Sequence, residues 1–150
     1  MLKKRAHFIL FIPILMLCAS SAEARNDLLD FSIQDALSTP KAKQKVDESI
    51  PLYFGNKKHA TIKRSFGEFS TSKKTNAFNK SDKMACEWAF LSAVLQLQRK
   101  ARQLGADAVV NIKSNHNRVE TSSRTKFKCA AGNILAGVAL KGTFVKVKKH

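Results

Sequence analysis

Covalent chemistry in this chain rests on two cysteines. Cys86 belongs to a stretch in which Cys86, Phe90, Ala93, Leu97, Ala101 and Leu104 recur at helical spacing and form one stripe. Cys129 ends an alternating stretch from Val119, with Val119, Thr121, Ser123, Thr125, Phe127 and Cys129 on one face. Arg118, Glu120, Ser122, Arg124, Lys126 and Lys128 make the opposite, solvent-loving face. Both thiols therefore point into one helix–sheet seam, and the spacing predicts a Cys86–Cys129 disulfide. Such a bridge closes a 43-residue loop, worth about 4 kcal/mol in the chain-entropy treatment. The alternative is two buried reduced thiols, which with His116 could offer zinc or copper a site.

Other reactive constellations are missing from the sequence. His59, His116 and His150 stand singly, and there is no His-Glu-x-x-His, Cys-x-x-Cys or Gly-x-Ser-x-Gly pattern. After Glu87 only Asp107 and Glu120 are acidic, which leaves little for acid–base catalysis. Gly132-Asn133-Ile134-Leu135-Ala136-Gly137 has the glycine spacing of a phosphate loop. Val138 and Ala139, however, stand where Lys and Ser or Thr are required, and the Gly137–Gly142 repeat also lacks the lysine. The expectation is a protein that is not an enzyme, with no catalytic residues, no cofactor and no metal.

Binding chemistry has more to draw on. The 150 residues hold 27 Lys+Arg against 11 Asp+Glu, a formal charge of +16, and residues 88–150 carry twelve of the basic residues against two acids. Lys113, Arg124, Lys126, Lys128 and Lys141 fall on outward strand phases and outline a candidate polyanion face. Phosphates of nucleic acid or of anionic lipid headgroups would be attracted there in a salt-dependent way. A merely solvated basic surface accounts for the same residues. A second apolar stripe, Met84, Trp88, Leu91 and Leu95, runs along the other side of the helix. It is covered either by the segment around Leu28 to Leu37 or by a protein partner or second copy, since a contiguous exposed patch is unusual on a monomer.

The elements that position these residues follow from local signals. Ser81 and Asp82 open the helix, and Gly105 closes it after Leu104. Ile50 to Phe54 reads as a strand that Pro51 confines to an edge or a strand start. Thr61 to Phe69 reads as another, with a bulge at Gly67, followed by a polar loop from Ser70 to Lys80. Asp107–Ser114, Val119–Cys129 and Ile134–Val147 complete a β-β-α-β-β-β order. The fold class expected is α+β, one main helix on a small, mostly antiparallel sheet.

The N-terminus reads as an export signal. Lys3, Lys4 and Arg5 precede an uncharged run from Phe8 to Leu17, and Ala22-Glu23-Ala24 supplies a cleavage pattern, placing the cut after Ala24. The run is about half the ~20 residues a membrane span needs, so no transmembrane span is expected in the mature chain. Bulky Leu17 before Cys18 argues against lipidation. Residues 1–24 are thus assigned to the signal peptide, 25–49 to a lead-in with a charged tether at Lys41, Lys43 and Lys45, and 50–149 to a single domain. The location implied is the periplasm or the exterior, where a disulfide is stable.

Several runs also carry a family resemblance: Lys73-Lys74-Thr75-Asn76-Ala77-Phe78-Asn79-Lys80-Ser81-Asp82, Cys86-Glu87-Trp88-Ala89, Leu104-Gly105-Ala106-Asp107-Ala108-Val109-Val110-Asn111-Ile112 and Ala136-Gly137-Val138-Ala139-Leu140-Lys141-Gly142. Over roughly residues 50–147 the chain resembles small exported bacterial proteins that bear the label "excinuclease ATPase subunit". More distantly, the Leu-Gly-Ala-Asp-Ala-Val-Val pattern is similar to YbjQ-like proteins and to RcsF-like envelope lipoproteins. That resemblance implies a compact helix-on-sheet fold, disulfide-bonded signalling in the RcsF-like case, and ring-shaped oligomers sometimes called heavy-metal-binding in the YbjQ-like case. This chain lacks a lipid-acceptor motif and has cysteines for one bridge only. Its leading functional expectation is a non-catalytic interaction module of the cell envelope; a basic polyanion binder is second.

Overall fold

The computed structural model describes residues 24–148. The expected signal sequence up to Glu23, with Cys18, lies outside them, as does His150. In chain order the elements are β1 (Asp27–Ser32), α1 (Ile33–Ser38), α2 (Pro40–Lys45), β2 (Leu52–Phe54), β3 (Ile62–Asn76), α3 (Asp82–Leu104), β4 (Ala108–His116), β5 (Val119–Thr121), β6 (Lys126–Ala131) and β7 (Leu135–Val147).

The main helix forms where its caps dictate. The Ser81 side chain accepts from the Met84 N–H, Asp82 places a carboxylate in the first turn, and Gly105 ends the helix in the left-handed region at φ 70°. Its buried stripe of Cys86, Phe90, Ala93, Leu97 and Ala101 lies on a seven-stranded sheet. Long β7 organises that sheet. β3 pairs along one edge of β7, while β4 and β6 share the other, each antiparallel to it. β1 extends the sheet beyond β6 and β2 beyond β4. Only the β2–β4 pairing is parallel, so the sheet is mixed, with β2 at an edge and Pro51 immediately before it, where a missing N–H costs the ladder nothing. Ala136, Val138, Leu140 and Phe144 of β7 face the helix and join the core with Val109, Ile112, Phe127 and Cys129.

Three expectations are corrected. The segment 25–49 is no tether: β1 pairs with β6 from Asp27↔Ala131 to Ser32↔Lys126, and two capped helices follow. Ser32 caps α1, Thr39 caps α2 with Pro40 in its first turn, and Ile33, Ala36 and Ala42 are buried. Ser70–Asn76 is not loop but the second half of β3, held by an unbroken ladder from Thr71↔Leu140 to Asn76↔Leu135. The stretch Val119–Cys129 is not one strand. It breaks after Thr121, where the Ser123 hydroxyl accepts from the Thr125 and Lys126 N–H groups and turns the chain. With these changes, the β-β-α-β-β-β order becomes β-α-α-β-β-α-β-β-β-β.

Candidate functional site: a basic groove over a stapled seam

The seam is built as its residue phases require. Cys86 and Cys129 form a disulfide with their Cα atoms 5.8 Å apart, both fully buried. Beside it the Phe90 and Phe127 rings stack at 4.1 Å, and Phe54 and Phe31 extend the aromatic layer at 5.8 and 6.0 Å. The reduced-thiol alternative, and with it a thiol–His116 metal site, does not apply to this bridged state. Among the described residues no group of three or more His, Cys, Asp or Glu is placed to hold a metal ion.

The outer side of α3 is where the N-terminal segment matters. Buried Gln98 clamps that segment: its Nε2 donates to the carbonyls of Asp47 (2.7 Å) and Ile50 (2.9 Å), and its Oε1 accepts from the Asp47 N–H (3.0 Å). Ion pairs Lys83–Asp35 and Arg102–Asp47 fix both ends of the crossing. Ser49 and Arg102 hold the Asp47 carboxyl below its ordinary pKa, Ser49 contributing more, and Lys83 does the same for Asp35. Sequence reasoning missed Gln98. A lone amide on a helix face carries no pattern until its partners are known.

This crossing covers part of the Met84/Trp88/Leu91/Leu95 stripe. Leu91 is buried and Leu95 half-buried, while Met84 and Trp88 remain exposed. What is left open is a groove of about 280 Å³, with Leu91, Ser92 and Leu95 beneath and Trp88, Thr75, Lys41 and Lys45 around it. Lys41 Nζ sits 4.5 Å from the Trp88 ring centroid, and Lys80 Nζ, from the turn preceding α3, sits 5.4 Å from it. Among the described residues no carboxylate lies within ion-pair distance of Lys41, Lys45 or Lys80; Asp82, Asp35, Glu87 and Asp47 are bound by Arg25, Lys83 and Arg102 instead, and Glu48 is exposed and pairs with none of the three lysines. These lysines were not singled out from the sequence as site residues. The signal was the i, i+4 spacing of Lys41 and Lys45 after a Thr-Pro helix start.

The outward sheet residues are differently placed. Lys113 and Lys141 each contact Glu120 at 2.6 Å and lie within 4 Å of Glu68, and Lys128 pairs with Asp30 at 3.0 Å. Lys113 and then Lys141 pull the Glu120 carboxyl below its usual range, and Glu120 in turn raises the Lys141 ammonium. Arg124 and Lys126 are exposed, without an acidic partner among the described residues, at the turn into β6. The structure thus gathers Lys113 and Lys141 around one carboxylate and leaves the five residues as separate small groups. A second, more open cleft of about 480 Å³ is lined by Gly55, Asn56, Lys57, Lys58, His59 and Asn111. Gly55 and Asn111 both have positive φ there, and the Gly55 N–H donates to the Ile112 carbonyl.

No protein-family model, curated protein or solved structure matches this chain.

Proposed function

We propose that the chain is an exported, non-catalytic interaction module of the cell envelope that engages an anionic partner through the groove around Trp88. The observation that carries this reading is the pair of ammonium groups, Lys41 and Lys80, held on one indole with Lys45 beside them and, among the described residues, no carboxylate within ion-pair distance. Ammonium groups fixed over an apolar floor favour phosphate, sulfate or carboxylate groups, and the aromatic ring limits their freedom before binding. The sheet face is the weaker candidate because Glu120, Glu68 and Asp30 offset Lys113, Lys141 and Lys128.

The disulfide supports an oxidising compartment, and with the Lys3–Leu17 and Ala22–Ala24 patterns it supports a periplasmic or secreted location. A YbjQ- or RcsF-like arrangement is the finer fold assignment we propose, resting on the Leu104–Ile112 motif and the helix-on-sheet layout.

Trp88 is the sole tryptophan, so its fluorescence reports on the groove directly. Titration with inorganic polyphosphate at low salt is expected to give a saturable emission change that Lys41→Glu/Lys45→Glu abolishes. No change in the native protein, or equal binding by the variant, would contradict the proposal.

A further inference from the structure

Next to the groove lies an end of the molecule with an unusual surface. Phe78, in the turn between β3 and α3, is 62 % exposed, and Ile134 and Leu135, at the β6–β7 turn, are 68 % and 52 % exposed. The two turns are one unit, because the Ala77 N–H donates to the Ile134 carbonyl at 2.7 Å and Asn76 pairs with Leu135. Three large apolar side chains thus project from adjoining turns instead of lying flat on a face.

The rim of this tip is basic. Lys73 and Lys74 lie on the last rungs of β3 and Lys80 follows Phe78 by two residues; none has a carboxylate partner among the described residues. Lys74 lays its aliphatic stem beside Gly137. Asp27, at the start of β1, and Asp82, at the start of α3, are both bound by Arg25. A second copy of the chain docking tip to tip would bring these lysines against one another, which disfavours self-association here.

We infer that the tip of Phe78, Ile134 and Leu135 enters the headgroup region of an anionic lipid bilayer, with Lys73, Lys74 and Lys80 on the phosphates. Apolar side chains on turns flanked by lysines match the depth profile of a bilayer surface, where the hydrocarbon boundary sits beneath a charged layer. Phe78 is suited to that boundary by its large apolar ring. Such docking is peripheral; no helix among the described residues is long and apolar enough to cross a membrane. The inference deepens the anionic-partner reading: Lys80 serves both surfaces, so a bilayer seated on the tip brings phosphates to the mouth of the Trp88 groove.

Vesicle flotation with the oxidised full chain tests it. Vesicles of phosphatidylcholine with about 30 % phosphatidylglycerol are expected to carry the protein, and pure phosphatidylcholine vesicles are not. Phe78→Ser/Ile134→Ser, at exposed positions and without change of charge, is expected to lower partitioning at least tenfold while leaving the polyphosphate response of Trp88 unchanged. Lys74→Gln, which stays clear of the groove lining, is expected to lower partitioning by about fivefold, as one lost cation near the surface dictates. Equal flotation of native and Phe78→Ser/Ile134→Ser protein would overturn the tip assignment and leave the groove reading standing. Binding of single-stranded oligonucleotide but not of anionic vesicles would also overturn it, by making nucleic acid the polyanion. Loss of the polyphosphate response in the native protein, with flotation intact, would instead sink the groove and spare the tip.

Discussion

Two surfaces of one helix behave in opposite ways. Toward the sheet, α3 offers Cys86, Phe90, Ala93, Leu97 and Ala101, all buried and locked by a disulfide and a stacked ring pair. On its other side, Trp88 stays 41 % exposed with two lysines on its ring and a groove beneath it. The first surface has satisfied its chemistry internally. The second holds cations that have no carboxylate within ion-pair distance among the described residues. Stability should therefore respond to substitutions in the seam, and binding to substitutions in the groove.

The largest expected effect is on the seam. Cys86→Ala/Cys129→Ala releases a 43-residue loop and should cost about 4 kcal/mol by chemical denaturation. A loss below about 1 kcal/mol would show that helix and sheet are held by packing alone. Next comes the clamp between the two sides. Gln98→Ala leaves two buried carbonyls and one N–H without their partner, and should cost about 2–3 kcal/mol. Because Gln98 also fixes the segment carrying α2, that variant should weaken polyphosphate binding as well.

A smaller effect lies in pH. The carboxyls of Asp35, Asp47, Asp82 and Glu120 are all held below their ordinary values by hydrogen bonds and neighbouring cations. A depressed folded pKa adds stability that is complete above the unfolded value and is lost as pH falls through the folded one. Denaturant midpoints should thus stay level above about pH 5 and decline below about pH 4. Asp47→Asn should flatten part of that decline; an unchanged profile would remove Asp47 from the account. Smallest of all, Trp88→Ala should cost about 1 kcal/mol of stability, since the residue stands at the margin of the packed layer with 41 % of its surface exposed. The same variant, which lacks the fluorescent reporter, should bind polyphosphate poorly by calorimetric titration, which separates the two sides of α3 most cleanly.

How far these features could be read without coordinates depends on what makes each visible. The α3 boundaries, the Gly67 bulge and the Cys86–Cys129 pairing were legible because caps, glycines and two independent periodicities state them locally. The second half of β3 was not. Its Thr71, Lys73 and Thr75 are half-buried at the sheet margin, so their alternation with Ser72, Lys74 and Asn76 is polar against polar and leaves no apolar period. β1 and α1–α2 were hidden for a related reason: each is six residues long and draws its stability from partners far away in the chain. Outward strand phase correctly placed Lys113, Lys128 and Lys141 on the side away from the core. Phase could not foresee that Glu68, Glu120 and Asp30 from other strands would meet them. The groove arises only once α1 packs on α3 and α2 brings Lys41 and Lys45 beside Trp88, so its lysines come from a segment that sequence composition describes as a tether.

The salt dependence of polyphosphate binding, read from Trp88 emission, tests the central claim most directly. If Lys41, Lys45 and Lys80 hold the anion together, log K should fall against log salt with a slope of about −2, the value for roughly three contacts on a single-stranded polyanion. In Lys41→Glu/Lys45→Glu protein the binding should be too weak to measure. A slope near zero, or native-like binding by that variant, would contradict the account.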